Sequence, residues 1–224
     1  MKVLIYGSTG MVGQAVLRQC LLDPEVTAVQ TIGRSASGRS HPKLEELVQQ
    51  DLLRYPYSAD ELRGYDACFF CLGISSNDVP EDEYVCLTYG LTTAVARLLA
   101  GMNPDMTFVY VSGTGTDGSE RGPIMWARVK GKTENAIARL FPNAYMFRPG
   151  AIQPMHGEKS KTKSYELLYR YSKPILPVLR RLVPQLVIGS EDIGKAMIQV
   201  AKKGWKKRIL ENTDIRECAR SSAG

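Results

Sequence analysis

No run of eighteen or more apolar residues occurs in this chain, so hydropathy alone points to nothing that spans a bilayer. A secretory leader is not expected either: MKVLIYGSTG lacks the long apolar core of a signal peptide, meets glycine at residue 7 and reads as a first strand. Histidine is scarce. His41 and His156 are the only two, neither has a second ligand at useful spacing, and no metal site is readable. Cysteine numbers five, an odd count, which in a chain without an export signal implies reduced thiols and a cytoplasmic home. Cys68 and Cys71 form a C-x-x-C, but inside ACFFCLG, an apolar run where residues three apart point to opposite faces of a buried strand. Free cysteines of this kind are packing residues rather than a redox or metal pair.

What is present is an ordinary globular composition, 44% hydrophobic and 23% charged, over 224 residues, enough for one domain of comfortable size. The net charge of +6 is unevenly spread. Residues 159–188 hold Lys159, Lys161, Lys163, Arg170, Lys173, Arg180 and Arg181 against Glu166 alone, so this stretch carries the whole excess. A local positive field of this size concerns partners. An anionic substrate and a peripheral membrane contact both suit it, with aliphatic residues dipping in and arginines meeting headgroups. Nucleic acid suits it less, because no nucleic-acid-binding module accompanies the patch.

Short apolar runs alternate with helical patterns along the chain. Strands are expected at 2–6, 26–32, 44–49, 67–72, 107–111, 144–148 and 207–210. Helices are expected at 11–22, 80–101 and 122–141, with a last one opening at Ser190, whose hydroxyl is a natural N-cap ahead of Glu191 and Asp192. That alternation predicts an α/β fold, a Rossmann-type doubly wound parallel sheet. The rhythm breaks at 155–189, which is basic and interrupted by Pro174, Pro177 and Pro184, and which reads as a small helical C-terminal cap or lid. The division is thus 1–154 for nucleotide binding, 155–189 for the cap, 190–215 for the final helix and strand, and a loose polar tail over 216–224.

Immediately after the first strand stands Gly7-Ser8-Thr9-Gly10-Met11-Val12-Gly13, a G-x-x-G-x-x-G. The first glycine permits a tight turn, the second lets a diphosphate approach the backbone, and the third lets helix pack on strand. Free N–H groups and the positive end of the helix then face the phosphates. The position, between a strand and a helix at residue 7, is where that mechanism requires the motif. Cofactor choice is read at the end of the second strand, where an acid would hold a ribose 2′-OH and an arginine a 2′-phosphate. There Gly33-Arg34-Ser35 has no acid, which favours NADP(H) over NAD(H). Asp51-Leu52, after the third strand, suits an adenine-edge contact.

MWARVKG, at 125–131, complicates the chemistry. In a nucleotide-binding reductase, a Y-x-x-x-K on this helix sets a phenol and an ammonium one turn apart as a proton-transfer pair. Here Lys130 fills the lysine slot and Trp126 the phenol slot, and an indole N–H does not exchange a proton near neutral pH.

With these motifs the chain resembles the short-chain dehydrogenase/reductase superfamily in its extended or atypical branch. It is similar to the bacterial NAD-dependent epimerase/dehydratase-like proteins and to their NmrA-like, NAD(P)-binding relatives. The residues that carry the likeness are GSTGMVG at 7–13, Asp51-Leu52, Cys71-Leu72-Gly73, VSG at 111–113, RVKG at 128–131 and Arg148-Pro149-Gly150. The resemblance implies that Cys71, Leu72 and Gly73 run beside the adenine ribose and that Pro149 and Gly150 flank the nicotinamide. It implies that Lys130 hydrogen-bonds the nicotinamide ribose and that Ser112 holds the substrate oxygen, with Thr114 competing for that role. Trp126 becomes an apolar pocket wall. The other proton-transfer candidates are Tyr84, Tyr89, Tyr110 and His156. The implied function is an NADP(H)-dependent reductase or epimerase-like oxidoreductase acting on a small anionic carbonyl or sugar compound. The alternative is a non-catalytic NADP(H)-binding sensor or scaffold.

Overall fold

The computed structural model describes residues 1–52, 62–77, 79–158, 182–183 and 185–221. The chain begins β1 (Lys2–Tyr6), α1 (Met11–Leu22), β2 (Ala28–Gly33), β3 (Leu44–Val48) and β4 (Ala67–Phe70). A long helical stretch follows: α2 (Glu81–Val85), a π-helical turn (Cys86–Gly90) and α3 (Leu91–Met102). Then come β5 (Thr107–Val111), α4 (Met125–Leu140), β6 (Ala144–Arg148), β7 (Ala151–Gln153), β8 (Val187–Gly189), α5 (Ser190–Lys203), β9 (Ile209–Glu211) and α6 (Asn212–Arg220).

Seven strands form one sheet in the order β3-β2-β1-β4-β5-β6-β9. Every pairing in it is parallel, as the βα alternation requires. The order reverses between β1 and β4, which opens a crevice at the carboxyl ends of those strands. Because side chains alternate across a strand, β1 sends Val3 and Ile5 to one face and Leu4 and Tyr6 to the other, and all four are buried. One core holds Val16, Leu17, Ile193, Met197, Ile215 and Cys218 from α1, α5 and α6. The other holds Val95, Leu99 and Ile137 from α3 and α4. On that second side Tyr6, Phe70, Phe108 and Phe141 stack in succession, with centroids 5.4, 6.0 and 4.9 Å apart. Burial of each such ring stabilises the fold by about 2–3 kcal/mol. Cys68 and Cys71 indeed fall on opposite sides, one in each core.

Four expectations need correction. The helix expected over 80–101 is broken by the π-helical turn at Cys86–Gly90. By length and composition the joined stretch Glu81–Met102 would also pass as a membrane span, at mean hydropathy 1.4, although Leu91, Val95, Ala96 and Leu99 are spent on the core. Ser190 is not the N-cap of α5: Gly189 takes that place with extended backbone, and the buried Ser190 hydroxyl accepts the Met155 N–H at 3.1 Å. The residues from 216 to 220, expected loose, belong to α6. Few apolar residues are needed there, because Ile215, Cys218 and Ala219 form a short inward stripe. A reciprocal capping box of Glu211 and Asp214 holds the helix start. Finally, β7 pairs in parallel with β8, a two-stranded addition too short to read in the sequence. The cationic residues of the basic cap, Lys159 to Arg181, lie outside the described residues.

Candidate functional site

Five strands of the sheet deliver their carboxyl ends to one cleft of about 670 Å³, a size suited to a small-molecule or cofactor site. The residues that line it sit just past those ends: Gly7 after β1, Arg34 after β2, Cys71 after β4, Ser112 after β5 and Pro149 after β6.

The glycine turn has the shape a diphosphate needs. Gly7 adopts φ +81°, and a Cβ there would meet the Leu72 nitrogen at 2.8 Å. The Gly10 N–H closes the turn on the Gly7 carbonyl at 3.1 Å. Gly13 packs so closely on that carbonyl that a Cβ would stand 2.0 Å from it. Helix α1 starts at Gly10 without a side-chain cap and has no acid in its first turn, so its positive end faces the cleft uncompensated. Gly7, Thr9, Gly10, Met11 and Val12 line the cleft; Ser8 and Gly13 lie behind it. Among the described residues its lining contains the cations Arg34 and Lys130 and no carboxylate, a donor set that fits an anionic dinucleotide.

Arg34 and Ser35 stand at the cleft as expected, and so do Leu72, Gly73, Pro149 and Gly150. Asp51 and Leu52 do not. Leu52 is buried in the core beside Tyr6 and Ile32, and Asp51 is exposed outside the cleft lining. Cys71 does line the cleft, but burial pushes its thiol up to about 12, so it is no nucleophile at neutral pH. The sequence reading missed Ile74, Ser75, Ser76 and Asn77 on the loop after β4. Their signal was the S-S-N that follows CLG, on the same carboxyl edge as the glycine turn.

Ser112 and Thr114 part company in the fold. The buried Ser112 hydroxyl donates to the Glu134 carboxylate at 2.5 Å. Glu134 is itself held by Arg148, through Nε at 3.0 Å and Nη2 at 2.5 Å, in a pair almost removed from water. Ser112 therefore lines the cleft with its hydroxyl already tied to Glu134. Thr114 is exposed in the cleft lining, and its hydroxyl donates to the Arg148 carbonyl at 3.1 Å, which leaves its oxygen able to accept.

On α4, Trp126 and Lys130 stand one turn apart and both line the cleft. The indole lies over Gly115, where a Cβ would sit 3.5 Å from the ring. It forms part of the cleft lining. Lys130 donates to the Ser112 carbonyl at 2.8 Å. Loss of hydration lowers its pKa to about 8, with Glu134 pulling the other way. The next residue, Gly131, explains the glycine of RVKG: a Cβ there would stand 1.8 Å from the Asp117 carbonyl. Of the other candidates, Tyr84 lines the cleft. Tyr110 is buried in the core, and Tyr89 lies under the Lys132 ammonium, 4.6 Å from its centroid. His156 pairs with Glu191 at 3.0 Å, outside the cleft lining.

No family profile matches the chain. Among curated proteins it is 23% identical over 228 residues to "Protein FMP52, mitochondrial" of Lodderomyces elongisporus, covering 94% of this chain and 91% of that protein. The expected cytoplasmic home is therefore withdrawn, since FMP52 relatives over most of the chain are named as mitochondrial. Five unpaired cysteines indicate reduced thiols and do not choose a compartment. Among solved structures, a UDP-N-acetylglucosamine 4-epimerase from Methanobrevibacter ruminantium superposes with TM-score 0.69 at 14% identity, over 93% of this chain and 74% of that one. A short-chain dehydrogenase/reductase superfamily protein from Agrobacterium tumefaciens with bound NAD superposes with TM-score 0.64 at 14% identity, over 94% and 77%. The seven-stranded parallel sheet has the fold of solved epimerase and short-chain dehydrogenase/reductase structures, and the chain is similar over most of its length to the FMP52 proteins.

Proposed function

We propose that the protein is an NADP(H)-dependent oxidoreductase, reductase or epimerase-like, acting on a small anionic carbonyl or sugar compound. The observation that carries this reading is a cleft that joins an uncapped helix start, Arg34 and Lys130, with no carboxylate among its described lining residues. Thr9, Gly10 and Met11 would hold the diphosphate, and Arg34 with Ser35 a 2′-phosphate. Lys130 would hold the nicotinamide ribose, with Pro149 and Gly150 beside the ring. A bound nicotinamide supplies hydride chemistry; the chain supplies position, charge and the exclusion of water. Thr114 replaces Ser112 as the hydroxyl that meets the substrate oxygen, because Ser112 is committed to Glu134.

Titration of NADPH and NADH into the purified protein, followed by nicotinamide and tryptophan fluorescence, tests the cofactor half. NADPH is expected to bind more tightly than NADH. Arg34→Ala is expected to weaken NADPH by roughly 10- to 100-fold, the scale of one lost charge-assisted contact, and to leave NADH unchanged. Equal loss for both cofactors would sink the 2′-phosphate assignment.

Trp126 favours a second reading, a sensor or scaffold that binds NADP(H) without turnover. The two diverge for Trp126→Tyr assayed with 4-carboxybenzaldehyde and its neutral partner 4-nitrobenzaldehyde. An oxidoreductase is expected to gain roughly 100-fold in rate, the low end of what positioned proton transfer supplies, and to prefer the carboxylate. Unchanged background rates with NADPH still bound would support the scaffold.

A further inference from the structure

With an indole in the phenol slot, the cleft needs another group to exchange a proton with the substrate oxygen. We infer that Lys130 itself is that group, held in place by the Ser112 carbonyl and balanced by the buried Glu134–Arg148 pair. The inference rests on the NADP(H) oxidoreductase reading and adds the proton path to it.

The geometry comes first. An ammonium has three donors, and Lys130 spends one on the Ser112 carbonyl, leaving two N–H bonds on a side chain that lines the cleft with Thr114 and Trp126. Ser112 cannot wander, because its hydroxyl is bonded to Glu134 and Glu134 to Arg148. Lys130 and Glu134 are also one turn apart on α4. The lysine is therefore fixed at both its backbone and its tip, as a proton donor must be.

The charged and titratable surroundings select the same residue. From α4, Glu134 raises the pKa of Lys130, and Arg148 on β6 holds that carboxylate in a bidentate pair. Burial dominates and leaves the lysine near 8. From the other elements around the cleft come Tyr84 on α2, Cys71 after β4 and Arg34 after β2, with Tyr110 behind on β5. Tyr110 is driven well above the ordinary phenol range by burial, and Cys71 is at about 12. An arginine does not release its proton in water. Among the described cleft residues for which a shift is resolved, only Lys130 changes charge near neutral pH.

The step balances simply. With a hydride supplied to the carbonyl carbon by the reduced nicotinamide, the C=O π pair would move to oxygen, and that oxygen would take a proton from Lys130 Nζ. The neutral amine would then be reprotonated by the one solution proton that carbonyl reduction consumes.

Two measurements on the full chain test this. The first needs no turnover: lysine Nζ and Cε resonances of the cofactor-free protein are followed by NMR against pH, with Lys130→Arg identifying the signal. A midpoint near 8 is expected, and a midpoint at the ordinary lysine value overturns the inference. The second is kcat at saturating NADPH with 4-carboxybenzaldehyde. It is expected to fall as pH rises through that same midpoint, and Lys130→Arg, which keeps the charge but holds its proton, is expected to lose about 100-fold or more. A kcat that stays flat through the NMR midpoint overturns the proton role and leaves a positioning lysine. Failure of NADPH to bind the wild-type protein overturns the underlying reading as well, and fluorescence titration separates that case from the others.

Discussion

Glu134→Leu is expected to lower the melting temperature by on the order of 10 °C, the largest loss of stability from any single side chain near the cleft. The reason is what it leaves behind. Glu134 accepts two bonds from Arg148 and one from Ser112, and the Arg148 side chain is only 13% exposed. Removing the carboxylate strands a guanidinium in the interior, and a broken buried pair of this kind costs about 3–5 kcal/mol. Glu211 stands 3.6 Å from Arg148 but is nearly half exposed, so it recovers only a part. A companion change isolates the cause. Glu134→Leu with Arg148→Met removes both charges, and replacing a buried pair by apolar groups is often close to neutral. The double variant is therefore expected to melt above the single one. If it melts lower still, the loss came from repacking α4 against β6 rather than from a stranded charge. Differential scanning calorimetry of the three proteins decides it.

The parts of this fold that were legible in the sequence are those where local pattern and global demand coincide. KVLIY followed by GSTGMVG declares itself because a buried strand, a turn of small residues and an amphipathic helix occur in the one order that works. The cleft was legible to the same extent, since Gly7, Arg34, Cys71, Ser112 and Pro149 each follow a strand that could be placed. What escaped depended on partners distant in sequence. Ser112 and Thr114 are both hydroxyls two residues apart, and only the arrival of Glu134 from α4 shows that the first is spoken for. Ser190 has the composition of an N-cap, but Met155, 35 residues away, takes its oxygen. Leu52 follows a strand as a cofactor contact would, yet Ile32 and Leu62 draw it into the core. The helix Asn212–Arg220 reads as a tail because its three buried apolar side chains are diluted among polar ones.

The same logic limits what the relatives can say about chemistry. An identity of 23% over nearly the whole chain is a statement about the fold, which many residues define together. It says nothing of a one-residue device such as Trp126 in the phenol slot. The protein's reactivity must therefore be argued from its own cleft. There Lys130, the exposed Thr114 and the absence of a carboxylate among the described lining residues are independent of any relative.

Gly13→Ala is expected to abolish NADPH binding, with a loss beyond roughly 100-fold, while much of the fold remains. The added Cβ would stand 2.0 Å from the Gly7 carbonyl oxygen, 2.7 Å from its carbon and 2.9 Å from the Ser8 Cα. All three are backbone, so no rotamer relieves the clash. Gly7 has nowhere to retreat, because its own Cα faces the Leu72 nitrogen and Cys71 carbonyl closely enough to exclude a side chain. The turn must open, at a cost of about 1–3 kcal/mol for overpacking, and the N–H groups that face the diphosphate lose their common direction. Gly10→Ala is the control that separates sterics from binding. Its Cβ would meet nothing nearer than the Gly7 oxygen at 3.5 Å, an ordinary contact, so the cofactor-free protein should melt as the wild type does. On the proposed placement that methyl would occupy the space of a phosphate, and NADPH affinity should fall. Should Gly10→Ala bind NADPH as tightly as wild type, the diphosphate does not lie on this turn, and the placement of Arg34 and Lys130 at opposite ends of the dinucleotide fails with it.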